Sequence, residues 1–184
     1  LSVSPAGHIW FFDNHRKAIV GANPISFTHK YDIDSRKFLS EAWLANIFED
    51  SRKKLWLSNW YDNKVTLLDY TNGMQVDSLF HDKKNPSSIA GDFFWTVFQD
   101  ANSTIWLGTV AGISRCNPEK DIYREYRISS NIPELKNTAI RLAAEDKLDH
   151  SFWIISQSAY LIHYYPVSGK YQLFELAKAV KNKE

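Results

Sequence analysis

This sequence contains very little cysteine, and that scarcity excludes two kinds of site. Cys116 is the single cysteine among 184 residues, so neither an internal disulfide framework nor a cysteine-based zinc site can form. We expect this thiol, which falls within a strand-like stretch, to be a small buried hydrophobic side chain. Long hydrophobic runs are also missing, because no stretch approaches the roughly 18 consecutive apolar residues of a membrane span. We therefore predict no membrane contact by this segment.

The chain also lacks an excess of either charge and any catalytic signature. Its 22 basic and 21 acidic residues are spread along the sequence, so no basic stripe suggests a nucleic-acid partner. The six histidines show neither an H-E-x-x-H motif nor metal-like spacing with carboxylates. No Gly-rich phosphate loop and no G-x-S-x-G motif is present. We predict no catalytic residue, metal or cofactor, and hence no enzyme, in this segment.

Aromatic residues are what the sequence has in abundance. Seven Trp, nine Tyr and eleven Phe make up 15% of the chain, and bulky rings favour pleated, half-buried surfaces. Four of the tryptophans, Trp10, Trp56, Trp106 and Trp153, are 46, 50 and 47 residues apart. This period is close to the roughly 40–50 residues of a four-stranded β-propeller blade.

The segments around these tryptophans repeat one pattern. In segments 46–58 and 96–108 an apolar run closes with Glu-Asp or Gln-Asp, and after five intervening residues comes Trp flanked by aliphatic residues. Segment 142–155 has one extra residue in the turn, and segment 2–11 is a weaker copy without the Asp. We expect Asp50, Asp100 and Asp146 to form tight turns by accepting backbone N–H bonds. Calcium ligation would need more oxygen ligands than these turns offer.

The residues between the tryptophans are typical of short strands separated by turns. The pattern predicts an all-β chain of four four-stranded blades, with strands such as Val65–Asp69 and Ile122–Tyr126. The predicted division is blade 1 at 1–44 (incomplete or divergent), blade 2 at 45–92, blade 3 at 93–138, blade 4 at 139–176 and a tail at 177–184. Each Trp would fill the space between neighbouring blades, and a sugar-stacking platform is the alternative.

One stretch of the chain is similar to a known repeat. The chain most closely resembles the two-component regulator propeller repeat in five stretches, residues 81–89, 97–100, 105–109, 112–115 and 123–126. That family has a glycine three residues before the Trp. In this chain the position holds Gly7 in the first copy, and the later copies hold Lys53, Ser103 and His150. Asn and Ser also form such turns, so these departures weaken the turn geometry and not the blade assignment.

The resemblance implies a sensor. Such repeats form the periplasmic sensor part of hybrid two-component system histidine kinases in Bacteroides-like bacteria, and many of these detect glycan-derived oligosaccharides to control polysaccharide utilisation. Family sensors have more repeats than four, and the chain does not begin with Met. We therefore expect about half of a seven- or eight-bladed propeller, completed by the sensor's remaining blades or by a second copy in a homodimer. A carbohydrate-active propeller hydrolase or lyase, and a non-binding scaffold or dimerisation segment, are the alternatives.

Propellers usually bind ligands where the inner strands begin, and the register places candidate side chains there. The approach to these strands carries Trp43 in blade 2, Asp92 and Trp95 in blade 3, and Arg141 in blade 4. A further loop presents Trp60 and Tyr61. Aromatic faces and hydrogen-bonding side chains together suit sugar rings, so we predict these six as ligand-binding residues. The alternatives are that Trp43 and Trp95 pack between blades and that Arg141 pairs with an acidic neighbour.

Overall fold

The computed structural model describes residues 1–4, 7–40, 44–59, 61–72, 75–85, 87–91, 93–117, 122–126, 132–135 and 138–176. These ranges contain sixteen β-strands and two short 3-10 helices, Ser35–Lys37 and Pro133–Leu135. Within them no helix has the length and hydrophobicity needed to cross a membrane. The prediction of an all-β chain is confirmed.

The strands form four four-stranded sheets, which we call blades 1 to 4 in chain order. Blade 1 consists of β1 (Ser2–Val3), β2 (Ile9–Asp13), β3 (Ala18–Ala22) and β4 (His29–Asp34). Blade 2 consists of β5 (Leu44–Glu49), β6 (Lys54–Asn59), β7 (Val65–Asp69) and β8 (Gln75–Leu79). Blade 3 consists of β9 (Phe94–Gln99), β10 (Ile105–Thr109), β11 (Ile113–Asn117) and β12 (Ile122–Tyr126). Blade 4 consists of β13 (Ile140–Glu145), β14 (Phe152–Ser156), β15 (Tyr160–Tyr165) and β16 (Lys170–Glu175).

Every blade is an antiparallel meander in which the repeated Trp lies on the second strand. The strands pair in chain order, and two of them, β7 and β12, have the bounds predicted from sequence. Each Trp faces a different residue across to the third strand, and these partners are Gly21, Leu67, Arg115 and His163 in blades 1 to 4. The Trp therefore occupies the same position in the backbone register of every blade, while the residue paired with it on the third strand differs from blade to blade.

The chain divides into two compact units, Leu1–His81 and Asp82–Glu184. In the first unit β5 lies beside β1 and β2, so that blades 1 and 2 share one core. Trp10 and Trp56, which both belong to this unit, are fully buried, and Trp10 is part of the shared core. At Gly21 an added Cβ would lie 2.8 Å from Trp10 Cη2 and Cζ3 and 2.9 Å from Tyr31 Cδ2, so the Trp10 ring requires a residue without a side chain.

In the second unit the first strands of blades 3 and 4, β9 and β13, lie side by side. Trp106 is 4% exposed and meets Phe152 of blade 4 edge to face, with ring centroids 4.7 Å apart. Trp153 differs from the other three, because it is only half-buried and stacks on His163 at 4.0 Å. The core role predicted for all four tryptophans therefore holds for three of them.

Cys116 lies on β11 and is completely buried. Burial raises the pKa of its thiol to about 12. The thiol therefore stays protonated at neutral pH, and its burial is that of the small hydrophobic side chain predicted from the sequence.

The turn between the first and second strands has the same hydrogen bonds in blades 2 and 3. In blade 3, Asp100 Oδ1 accepts the backbone N–H groups of Asn102 and Thr104, both at 2.9 Å, and Oδ2 accepts the Trp106 indole N–H at 2.8 Å. Asp50 binds its own turn and Trp56 in the same way. The predicted turn-forming role is confirmed, and the indole bond is an addition that the spacing did not reveal.

In blade 4, whose turn has one extra residue, two carboxylates share the hydrogen bonds that a single aspartate makes in blades 2 and 3. Asp146 Oδ1 accepts the Leu148 N–H at 2.9 Å, and Oδ2 accepts the Trp153 indole N–H at 3.2 Å. The backbone N–H of Ser151 bonds instead to Asp149 Oδ1 at 3.0 Å. The insertion therefore leaves the bond between aspartate and tryptophan in place.

The glycine position of the resembled family keeps its left-handed backbone in all four turns. Gly7 has φ 77°, and Lys53, Ser103 and His150 have φ 64°, 61° and 59°. Side chains other than glycine pay an energetic cost in this region. The departures from glycine have therefore left the turn shape unchanged and placed backbone strain in three turns.

Candidate functional site

A β-bulge marks the beginning of the first strand in blades 2, 3 and 4. In β9 the extra, unpaired residue is Trp95, and in β13 it is Arg141. Blade 2 has the same register shift near the start of β5. A bulge bends the strand and re-aims the side chain of the extra residue, and bulges are common beside functional sites. Two of the six predicted binding residues are therefore positioned by the same backbone feature.

These two bulged residues contact each other. The Arg141 guanidinium carbon lies over the Trp95 ring, 3.9 Å from its centroid. Phe93 supports the same indole from another side, edge to face, with centroids 5.0 Å apart. Trp95 is half-buried and Arg141 is exposed. Arg141 makes no ion pair within the described ranges, so the acidic partner considered for it is replaced by the aromatic ring.

This stack combines two properties that suit a hydroxylated ligand. A guanidinium carries five N–H donors in one plane, and stacking leaves those on its edge directed outward. The indole adds an apolar surface whose position is held by Phe93. Because the guanidinium covers one face of Trp95, a ligand here would meet the arginine edge and the remaining indole surface rather than an open aromatic platform.

The remaining predicted residues fall elsewhere or outside the described part of the chain. Tyr61 is 60% exposed, and its backbone N–H donates to Asn59 Oδ1 at 2.9 Å. Its loop belongs to the first unit, whereas Trp95 and Arg141 belong to the second. Three predicted residues lie outside the described ranges, namely Trp43, Trp60 and Asp92.

A buried carboxylate in blade 2 replaces the aspartate that blade 1 lacks. Ser4 occupies the aspartate position of the first turn, and its Oγ accepts the His8 N–H at 3.0 Å and also bonds to Glu49 of blade 2. The Trp10 indole N–H instead donates to Glu49 Oε2 of blade 2, at 2.5 Å. His8 Nδ1 lies 3.1 Å from the same oxygen, and the Tyr70 hydroxyl donates to Oε1. The absence of Asp from the first copy was the sequence signal for such a substitute.

The electrostatics of this cluster favour an ionised Glu49. Burial by itself raises the pKa of the Glu49 carboxyl, but hydrogen bonds from Ser4, Tyr70, Trp10 and His8 together lower it below the ordinary value. Burial and the neighbouring Glu49 carboxylate raise the pKa of the Tyr70 phenol. Glu49 is fully buried, so its carboxylate fastens blade 1 to blade 2 and is not accessible to a ligand.

Blade 4 contains a serine, a histidine and an aspartate in contact, but in an order unlike that of a nucleophilic triad. Ser151 Oγ lies 2.6 Å from His163 Nε2 and donates to Asp149 Oδ1 at 2.5 Å. The carboxylate thus binds the serine, whereas in a triad it orients the histidine. Ser151 is also completely buried. Across the described residues no group of three His, Cys, Asp or Glu side chains could hold a metal ion.

Comparisons with known proteins match this architecture at the level of structure. No family model and no curated protein matches the sequence. The extracellular domain BT3049, assigned to a hybrid two-component system of B. thetaiotaomicron, has a TM-score of 0.67 and 13% identity, over 94% of this chain and 24% of its own. The corresponding domain BT4673 has a TM-score of 0.61 and 16% identity, over 93% and 21%. Virginiamycin B lyase from Staphylococcus aureus has a TM-score of 0.64 and 15% identity, over 95% and 54%.

The fold is that of a partial β-propeller. The predicted fold class is thereby confirmed. This chain spans about half the length of the lyase, 54%, and about a quarter or less of the two extracellular domains, 24% and 21%. At identities of 13–16% these similarities establish the fold alone.

Proposed function

We propose that this chain is a ligand-sensing propeller segment of the extracytoplasmic part of a hybrid two-component regulator. The proposed ligand is a glycan-derived oligosaccharide, the proposed compartment is the periplasm, and the proposed outcome is control of polysaccharide utilisation. Support comes from the resemblance of residues 81–126 to the regulator repeat and from the structural similarity to extracellular domains of two such systems. A bound ligand would favour one arrangement of blades, and the activity of a linked kinase would depend on that arrangement.

The stack of Arg141 on Trp95 is the observation that carries the binding part of this proposal. It lies where the first strands of two adjacent blades begin, which is the end of the strands at which propellers usually bind ligands. Its guanidinium edge can donate to several hydroxyl oxygens at once, and its indole offers surface to the C–H groups of a sugar ring.

A thermal-shift screen of neutral and acidic oligosaccharides tests the proposal. A ligand present at about 100 times its Kd stabilises by about 2.7 kcal/mol, which for a chain of this size raises Tm by about 5–10 °C. Arg141→Ala should abolish most of that shift, and Trp95→Phe should reduce it while keeping the ring contact with Phe93. Lys147→Ala, an exposed residue in the turn after β13, is the matched control and should leave the shift unchanged. No shift with any oligosaccharide would contradict the proposal.

An enzyme acting on carbohydrate is the second candidate, because the lyase shares the fold. This candidate predicts new, shorter or unsaturated products when the chain is incubated with the same oligosaccharides. A sensor predicts binding with the ligand recovered intact. Chromatography of the ligand after incubation separates the two, and a scaffold would give neither binding nor products.

The proposed partners are further blades of the same sensor or a second copy of this chain. Sedimentation equilibrium distinguishes them, since a homodimer has twice the mass of the 21.3 kDa chain. A clean dimer would support completion of the ring by a second copy. A monomer at all concentrations would count against that arrangement.

A further inference from the structure

A cavity of about 240 Å³ lies between blades 3 and 4, at the opposite end of the first strands from the Trp95 and Arg141 stack. It is bordered by Asp100, which directly follows β9, whereas Trp95 lies near the start of that strand. Five strand residues at about 3.3 Å each separate these positions by roughly 16 Å. The two sites are therefore distinct and share no residue.

One side of this cavity is apolar. Trp106 and Phe152 lie at its back, where they are only 4% and 3% exposed, and their rings are held edge to face by the contact between the two blades. Pro166 and Val167, in the turn between β15 and β16, form its outer lip. Val167 is fully exposed. The wall is therefore rigid at the back and open to solvent at the lip.

The carboxylates of the cavity still have acceptor capacity. Asp100 accepts three N–H groups within its turn and from Trp106. Glu145 accepts the His150 Nδ1–H at 2.8 Å and the Ala101 N–H at 3.2 Å. Because an ionised carboxylate offers about four acceptor sites, Asp100 keeps about one and Glu145 about two for a ligand.

Two further side chains at the cavity supply donors. Arg115 lies over the Trp106 ring, with its guanidinium carbon 5.7 Å from the centroid, and makes no ion pair within the described ranges. Asn102 uses its backbone N–H in the turn, while its side-chain amide has no hydrogen-bond partner in that part of the chain. Both side chains are exposed and border the cavity. Five guanidinium and two amide N–H groups are therefore available there.

We propose that this cavity binds one neutral, polyhydroxylated ring, such as the terminal pyranose of a glycan. The Asp100 and Glu145 carboxylates and the Arg115 guanidinium border the same cavity, so a ligand of either charge meets a group of like charge as well as one of opposite charge. A hydroxyl group both donates and accepts, which matches a wall that offers donors and acceptors. The C–H groups of a pyranose suit the apolar lip formed by Pro166 and Val167. Pockets for drug-sized ligands measure about 300–1,000 Å³, so this cavity of about 240 Å³ takes a single ring.

Titration with simple glycosides tests this site on the chain itself. The probes are the methyl glycosides of glucose, mannose and galactose, with methyl glucuronide as the anionic and glucosamine as the cationic counterpart. The readout is the assigned ¹⁵N indole resonance of Trp106, whose N–H bonds to Asp100 at the cavity. At least one neutral glycoside should shift this resonance, and each charged counterpart should bind more weakly.

Two exposed variants and two controls complete the experiment. Asn102→Ala and Arg115→Met should each weaken the Kd by about threefold to tenfold, the loss of one or two hydrogen bonds. Asn14→Ala, in the turn between β2 and β3, and Arg36→Met, in the 3-10 helix that follows blade 1, are both exposed and should leave the Kd unchanged. Circular dichroism of all four variants confirms that the fold is retained.

Three results would overturn the inference. The first is an unmoved Trp106 resonance with every neutral glycoside at about 50 mM, well above the millimolar Kd that so few contacts support. The second is tighter binding of methyl glucuronide or glucosamine than of the neutral rings. The third is unchanged affinity in both cavity variants. A shift at Trp95 without one at Trp106 would overturn this inference alone, and a shift at Trp106 alone would count only against the Arg141 site.

Discussion

Replacing Asp50 tests whether the bond between aspartate and tryptophan stabilises a blade. Asp50 is fully buried, and its Oδ2 accepts the indole N–H of the equally buried Trp56 at 3.0 Å. In Asp50→Asn the amide oxygen can keep both turn bonds, but an NH₂ group then faces the indole. An unsatisfied buried donor costs about 1–3 kcal/mol. In Asp50→Ala the turn bonds are lost as well, so the cost rises to about 2–6 kcal/mol.

Urea denaturation, followed by circular dichroism, measures these free energies of unfolding. We expect the wild type to be the most stable, Asp50→Asn to be less stable and Asp50→Ala to be the least stable. Asp77→Ala is the matched control, because Asp77 is exposed on β8 of the same blade and should change stability by less than about 0.5 kcal/mol.

A double-mutant cycle isolates the indole bond from the turn. In a Trp56→Phe background the donor is gone, so Asp50→Asn should cost clearly less than in the wild type. Equal costs in the two backgrounds would show that the indole bond contributes nothing. A stability of Asp50→Asn within about 0.5 kcal/mol of wild type would refute the reasoning directly.

Lys53→Gly should raise the free energy of unfolding by about 0.5–1 kcal/mol, because relief of the strained left-handed backbone outweighs the entropy that glycine adds to the unfolded chain. Calorimetry measures this change. Lys64→Gly is the control and should lower the free energy of unfolding, since the φ of Lys64 is not positive. Gly21→Ala should destabilise the first unit by about 1–3 kcal/mol, since its Cβ would overlap the Trp10 ring, and an unchanged urea midpoint would contradict that contact. Folding lowers the pKa of Glu49, so the ionised carboxylate stabilises the folded chain at pH values above the pKa of the unfolded state, about 4.3. This stabilisation is lost as the pH falls through the lower pKa of the folded state. Glu49→Gln should therefore reduce stability at neutral pH and flatten its decline in acid, as urea midpoints across that range would show.

Much of the fold was predictable because its signals are local. The Trp period, the alternation within strands and the acidic turn residues each act within one blade, over fewer than about 50 residues. Hence strands such as β7 and β12 were predicted with their observed bounds, and Asp100 with its turn-forming role. Trp153 was predicted less well, because burial of a strand residue depends on what packs against its sheet and not on its own repeat.

The candidate sites were less predictable, because they join residues from different blades. The register placed Trp95 and Arg141 at the starts of their strands. Their contact, however, depends on two bulges and joins residues that are 46 positions apart in the sequence. The Glu49 substitution for a missing aspartate is also a contact between blades. Trp43, Trp60 and Asp92 stay predictions.

The sequence by itself therefore determined the unit of this protein, its number of copies and the chemistry of its turns, since each rests on residues close in the chain. Tertiary structure decided what lies between the copies: the guanidinium on Trp95, the buried Glu49 carboxylate and the cavity beside Trp106. The physical reason is that a blade buries its faces only against another blade. Which side chains then meet across that face depends on the packing of two sheets, which no single repeat encodes.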